Sequence, residues 1–238
     1  MKVTLISYTQ NAVDLLLFTK STRLNLSPGL MKEIEHWPPS KKLEELEYTA
    51  GTIPSSWEFV DYTFLVEGVS RAYTHQQVRT RAASYAQQSM RVTEMGGYQY
   101  VYTDKNLSDP IAMALIDDCN AIVKATYANL LSIGQPAEDA RGVLPTNIAT
   151  NIVCKFNLRA FSDIAKSRTG GRTQSEYQKV VNAMVDAVLE VHPWVDLFLF
   201  KQGRDYFNEI EDFAKRKFPD LKDRGELLKI VDAMRKGN

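Results

Sequence analysis

Between Glu58 and Val66 the chain alternates, with Val60, Tyr62, Phe64 and Val66 on one side and Asp61 and Thr63 on the other. Successive side chains of a strand point to opposite faces, and aromatic and β-branched residues favour that setting. A strand with one apolar face belongs to a sheet whose apolar side is covered, so this segment demands a layered fold. The cover is read from a second periodicity. After Asp109-Pro110, an N-cap and first-turn pair, Ile111, Leu115, Cys119, Ile122 and Leu130 recur at helical spacing until Gly134. Tyr177, Val181, Met184, Val188 and Val191 do the same up to Pro193. Lys2 to Tyr8 reads as an opening strand, residues 27–41 as a loop around a short helical piece, and Ser40 to Tyr48 as helix. Gly51 to Ser56 reads as turn, Ser70 to Val78 as helix, residues 92–102 as a strand broken by a glycine pair, and the tail from Asp205 as charged and mostly helical. Strands and helices mix without strict βαβ alternation. The expected class is therefore α+β, a single domain over residues 1–238 with a central mixed sheet flanked by helices.

Charge narrows the function. The 238 residues hold 29 basic and 29 acidic side chains, a formal net charge of zero. Such a chain does not coat nucleic acid or an anionic membrane by bulk charge, though a local basic site is open to it. Its two cysteines, Cys119 and Cys154, make neither a disulfide framework nor a four-thiolate zinc site, and read as reduced buried thiols. The N-terminal stretch lacks a signal-peptide pattern, and no run approaches the ~20 apolar residues of a membrane span. A cytoplasmic protein is expected, or one of the host cytoplasm if the source is viral.

Several chemistries lose their usual motifs. There is no GxGxxG after a strand, no GxxxxGK[ST], no HExxH and no GxSxG. The three histidines, His36, His75 and His192, include no pair at metal-ligand spacing, so no metal site is expected. Ser89 is a nucleophile only with a base beside it, and its local sequence offers none.

The arginines are more informative. Residues 68–93 carry Arg71, Arg79, Arg81 and Arg91 without an acid, interspersed with Gln76, Gln87, Gln88 and Ser89. Residues 141–172 carry Arg141, Lys155, Arg159, Lys166, Arg168 and Arg172 against a single acid, Asp163. Guanidinium forks match phosphate and carboxylate oxygens two at a time. Two such segments in a neutral chain fit a pocket for a ligand with several phosphates, a nucleotide, a nucleotide-like cofactor, or both.

Arg79-Thr80-Arg81, seven residues and then Ser89 resembles the RHR-x7-S signature of the flavin-dependent thymidylate synthases. Ser84-Tyr85 followed by Gln87, Ser89 and Arg91 resembles that family's S-[YI]-x-[EQ]-x-S-x-R stretch. Ala140 to Pro145 resembles its ARxVLP motif, Asn157-Leu158-Arg159 its N-x-R block, and Arg168 falls where a substrate arginine is expected. The ordered motifs span roughly residues 52–177. Departures are Thr80 for the signature's central histidine, Phe59 for a histidine after Glu58, and Asp163 and Arg172 where asparagine or histidine is common.

The resemblance implies a homotetramer with an α/β fold of the family's type and FAD at subunit interfaces. It implies NADPH and methylenetetrahydrofolate as co-substrates and a pyrimidine deoxynucleotide, dUMP, as the acceptor, with no nucleic acid or membrane partner. By the same carry-over Arg79, Thr80, Arg81, Asn157, Arg159 and Asp163 lie at the flavin. Gln76, Gln87, Gln88, Ser89, Arg91, Arg141 and Arg168 line the nucleotide, and Arg168, Ser89 and Gln87 form the catalytic set. Arg91 and Arg141 clamp the 5′-phosphate, and Arg168 stabilises negative charge developing on the pyrimidine. Three other readings stay open. One is a family enzyme acting on dCMP or making a 5-hydroxymethyl nucleotide, with Asp163 a candidate acceptor for a 4-amino group. The second is a non-catalytic nucleotide-binding homologue. The third, a groove for single-stranded nucleic acid, lacks interleaved aromatics, with only Tyr73 and Tyr85 in residues 68–93.

Overall fold

The computed structural model describes residues 1–24, 27–91, 97–169, 173–199, 210, 214 and 221–236. Among these, four strands form one sheet: β1 (Lys2–Tyr8), β2 (Asp61–Ser70), β3 (Ala83–Gln87) and β4 (Ala149–Asn157), in the order β1-β2-β4-β3. The alternation read in the sequence is the inner face of β2. Val60, Tyr62, Phe64 and Val66 are all fully buried. A bulge between Val66 and Val69 inserts the extra residue that turns Val69 inward again. Gly68 sits in that bulge at φ +65°, a left-handed conformation that glycine adopts without steric cost. β4 repeats the pattern with Thr150, Ile152, Cys154 and Phe156 inward.

Three helices, α1 (Ala12–Ser21), α2 (Leu30–Glu35) and α3 (Pro39–Thr52), join β1 to β2. After β2 comes α4 (Arg71–Gln77), where the Ser70 hydroxyl caps by accepting from Tyr73 N. Between β3 and β4 lie α5 (Asp104–Leu107), α6 (Pro110–Ser132) and α7 (Ala137–Ala140). After β4 come α8 (Leu158–Arg168), α9 (Ser175–Val191) and α10 (Asp196–Leu199). Helices α8 and α9 cover the inner face: Phe161 packs on Tyr62 and Phe64, with ring centroids 5.8 and 5.5 Å away, and Tyr177 meets Tyr73 edge-on at 5.3 Å. The outer face is polar, and Lys155 on β4 pairs with Asp61 on β2 at 2.8 Å. The strands and helices named so far lie in a compact unit, Met1–Phe200. A second unit, Lys201–Asn238, contains a helix at Leu221–Lys236. The rest of the tail expected to be helical lies mostly outside the described residues. No helix among the described residues is long and apolar enough to cross a membrane.

The class is α+β as expected, and five details are corrected. The sheet is antiparallel at every described pairing rather than mixed. One buried and one solvated face is the setting antiparallel strands tolerate and all-parallel sheets do not. The turn expected at Gly51 to Ser56 is instead the end of α3 followed by a 3₁₀ helix, Pro54–Phe59, which starts on a proline. Residues 92–96 of the expected strand at 92–102 lie outside the described residues. From Gly97 on, only an isolated bridge, Tyr100 to Ile148, forms, and the Tyr100 hydroxyl donates to Asn120 O on α6 at 3.0 Å. The α6 helix runs as read, but its apolar series points outward up to Ile122, with Ile111 74%, Leu115 67% and Ile122 68% exposed, and only Leu130 packs inward, against Tyr127. Cys119 lies on that series, so of the two thiols expected to be buried only Cys154 is.

Candidate functional site

β3 divides the arginine-rich segment into two ends. Thr80 and Arg81 precede the strand, while Gln87 ends it and Gln88, Ser89 and Arg91 follow. A strand rises about 3.4 Å per residue, so the first and last Cα of β3 stand roughly 14 Å apart. The expected site residues gather accordingly into two groups.

The first group surrounds a cavity of about 400 Å³ lined by Thr80, Arg81, Asn157, Arg159, Asp163 and Arg168, together with Glu58. Helix α8 builds most of it. Asn157 is the α8 N-cap, and its carboxamide oxygen accepts from Ala160 N at 2.8 Å. That bond commits the oxygen and leaves the amide N–H groups as donors at the cavity. Arg159 and Asp163 stand four apart, on one face of the helix. Arg159 is paired with Glu58 at 2.6 Å, and both side chains are about half exposed. An exposed pair of this kind is worth about 0–1 kcal/mol, so an anionic ligand competes for the guanidinium at little cost. Arg168 lies over the ring of Tyr177, its guanidinium carbon 5.2 Å from the centroid. Burial raises the Tyr177 phenol above its ordinary range, and the Arg168 charge works against that rise. Three guanidinium groups against two carboxylates leave the cavity lined with one surplus positive charge and an amide donor. That donor set suits an anionic ligand with a phosphate and a polar ring.

The second group lies at the other end of β3. The Gln87 amide nitrogen donates to the hydroxyls of Thr74 and Thr150, at 3.0 and 3.3 Å. This ties the strand end to α4 and β4. Gln88 and Ser89 are exposed, and the Ser89 hydroxyl accepts from Arg91 N at 3.2 Å. Arg91 pairs with Glu138 at 3.2 Å, and Arg141 Nε donates to the Glu138 carbonyl at 3.1 Å. A small core of Tyr127, Ala140 and Ile148, joined by Met90 and Leu144, sets the backbone from which these arginines project.

The structure adds Arg71 to this group. Its Nη2 donates to the Gln88 carbonyl at 2.6 Å. Its buried Nε has no hydrogen-bond partner among the described residues. Burial first, and then the charge of Arg141, holds its pKa below the usual arginine range. Two arginines that repel each other, one with a buried unused donor, have the chemistry that suits an anionic ligand. Arg71 was visible in the sequence as one more cation of residues 68–93. Glu58, Glu138 and Tyr177 were not singled out as partners, because each reaches its arginine only through the fold.

The remaining expected residues divide. Arg168, expected with the nucleotide residues, shares the first cavity with those expected at the flavin. Gln76 bonds to Gln174, which opens α9. Arg79 is exposed and stands outside the cavity lining. Arg172 lies outside the described residues. Burial pushes the Cys154 thiol up to about 12, so it is no nucleophile near neutral pH. A second cavity, of about 390 Å³, has its charges paired internally, Lys179 with Asp104 and Glu176 with the Ser70 hydroxyl and N–H.

The family model described as thymidylate synthase complementing protein matches residues 4–194. The chain is similar to the flavin-dependent thymidylate synthase of Nitratidesulfovibrio vulgaris, 35% identical over 174 residues, covering 68% of this chain and 70% of that one. It is 30% identical to the flavin-dependent thymidylate synthase of Clostridium tetani over 213 residues, 81% of this chain and 84% of that one. With the protein of that name from Sulfurisphaera tokodaii it shares 36% identity over 132 residues, and there it spans about half of the relative's length, 51%.

Proposed function

Because the chain belongs to the thymidylate synthase complementing protein family, we propose that it methylates dUMP at C5 to give dTMP, using FAD. The one-carbon unit comes from methylenetetrahydrofolate and the reducing equivalents from NADPH. In balance, dUMP, methylenetetrahydrofolate, NADPH and one proton give dTMP, tetrahydrofolate and NADP⁺. The observation that carries this reading is the first cavity, where Asn157, Arg159, Asp163 and Arg168 of α8 and its cap meet Arg81 from the turn before β3 in one space.

The residues present fit the flavin. Its diphosphate needs cations and N–H donors, which Arg81, Arg159 and the Asn157 amide offer. When bound, FAD supplies the redox chemistry, and the protein binds and orients. Arg168 meets the pyrimidine and stabilises negative charge on the ring while C5 acts as nucleophile; the C5 proton leaves as the new carbon bond is made. Arg71, Arg91 and Arg141 take the 5′-phosphate. Ser89 and the Gln87 carbonyl oxygen bind beside the reacting carbon, Ser89 without a base to make it a nucleophile.

β3, roughly 14 Å from first to last Cα, separates the Thr80–Arg81 end of the first cavity from the end that carries Arg91. The family resemblance implies a homotetramer, in which the phosphate group of one copy faces the cavity of another. The outward stripe of α6, Ile111, Leu115 and Ile122, is an apolar surface of the kind such an assembly buries.

The test is an anaerobic product assay by mass spectrometry with FAD, NADPH, methylenetetrahydrofolate, dUMP and dCMP present together. A gain of one methyl group on dUMP alone supports the proposal. A gain on dCMP, or a hydroxymethyl gain, replaces it with the related chemistry, and no product from either nucleotide overturns it.

A further inference from the structure

Arg168 ends α8, and the group that faces its guanidinium is Tyr177 in the first turn of α9. Tyr177 is 1% exposed, and Tyr73 holds its ring edge-on from behind. The Arg168 guanidinium lies over that ring, its carbon 5.2 Å from the centroid. Thr80, which lines the same cavity, is fixed because its carbonyl accepts from the Tyr85 hydroxyl at 2.9 Å. Tyr85 also donates to the Gln77 carbonyl at 2.8 Å, so the turn before β3 is pinned at two points.

This arrangement does specific work on a mobile side chain. An arginine has many rotamers, and a guanidinium left half-exposed samples them. An aromatic face attracts the cation. Tyr177 sits on an element locked into the core. The guanidinium is thereby held over the Tyr177 ring with its donors left to the cavity.

We infer that Tyr177 is the positioning residue that holds Arg168 in the orientation from which it meets the pyrimidine. The inference rests on the placement of Arg168 at the nucleotide base proposed above. Tyr177 does not touch the nucleotide; it acts through Arg168.

The experiment measures dUMP affinity by calorimetry and the kcat and KM for dUMP on flavin-loaded protein. The variants are Tyr177→Leu and Tyr177→Phe, each made alone and again in an Arg168→Ala background. Tyr177→Leu removes the aromatic face, and Tyr177→Phe keeps it. Tyr177→Leu is expected to weaken dUMP binding about tenfold and Tyr177→Phe less than about threefold, while flavin absorbance stays unchanged. In the Arg168→Ala background Tyr177→Leu should cost less than about twofold, because the residue it acts through is gone. Equal weakening by Tyr177→Leu in both backgrounds, the mark of a merely structural role, overturns the inference, as does no weakening in the first. A parent protein that binds flavin but neither binds nor converts dUMP overturns the proposed nucleotide site itself.

Discussion

In the proposed reaction Arg168 carries the greatest chemical weight of any single residue, since it shares a cavity with Asp163 and Arg81 yet lies over Tyr177 rather than against an acid. A cation kept off a carboxylate keeps its charge available to a ligand. Arg168→Ala is expected to lower turnover by about 10²-fold or more, the usual cost of removing a preorganised donor at developing negative charge. Flavin content should not change, because Arg81, Asn157 and Arg159 remain; kcat and the flavin absorbance of one preparation measure both. Equal loss of the two would place Arg168 at the flavin instead. At this scale the arginines were legible, because the RTR-x7-S and N-x-R spacings survive in the chain. Their partners were not. Arg159 meets Glu58 across 101 positions, and Tyr177 reads in the sequence only as one more apolar position of its helix. Such pairings depend on how α8 and α9 lie on the sheet.

Among the elements, β2, α6 and α9 were legible from period alone, whereas β3 and β4 fell inside the two segments that stood out for their arginines. β4 has the alternation a strand needs, Thr150, Ile152, Cys154 and Phe156 against Asn151, Val153 and Lys155, but it is masked by the motif around it. β3, Ala83–Gln87, is short and mostly small or polar, and only its pairing with β4 makes it a strand. The end of α9 yields a prediction of its own. His192 closes that helix, its Nδ1 3.0 Å from the Tyr62 hydroxyl on β2, with Tyr8 of β1 edge-on and Trp194 beside it at 5.1 Å each. Burial lowers its pKa below the ordinary 6.5. Below about pH 6.5 the unfolded chain therefore takes up the proton more readily than the folded one. The His192 contribution to stability is present above that pH and is lost as pH falls towards the depressed value. The melting temperature should drop between about pH 7.5 and pH 5, and His192→Gln, which cannot titrate there, should reduce that drop. An unchanged drop in the variant would remove His192 from the acid sensitivity.

At the scale of the whole molecule, the two features left open by a single chain answer each other. The α6 stripe is apolar and outward, and the two arginine groups stand at opposite ends of β3. Leu115→Glu puts a charge in the middle of the stripe and should shift the assembly to smaller species by light scattering, with dTMP formation lost in parallel. Full activity in a monomeric variant would separate the stripe from the site. The sequence alone pointed to multiple copies only through family resemblance, since periodicity marks a face as apolar without saying which way it turns. The central claim is that one dUMP-methylating site is assembled from the Arg168 end of one copy and the Arg141 end of another. Co-expression of Arg168→Ala and Arg141→Ala chains carrying different tags, with mixed assemblies purified through both tags and assayed for dTMP, tests it directly. The account predicts dTMP formation well above that of either variant alone, because some sites in the mixture receive both intact arginines. Mixed assemblies as inactive as their parents, beside an active unsubstituted protein, would contradict it.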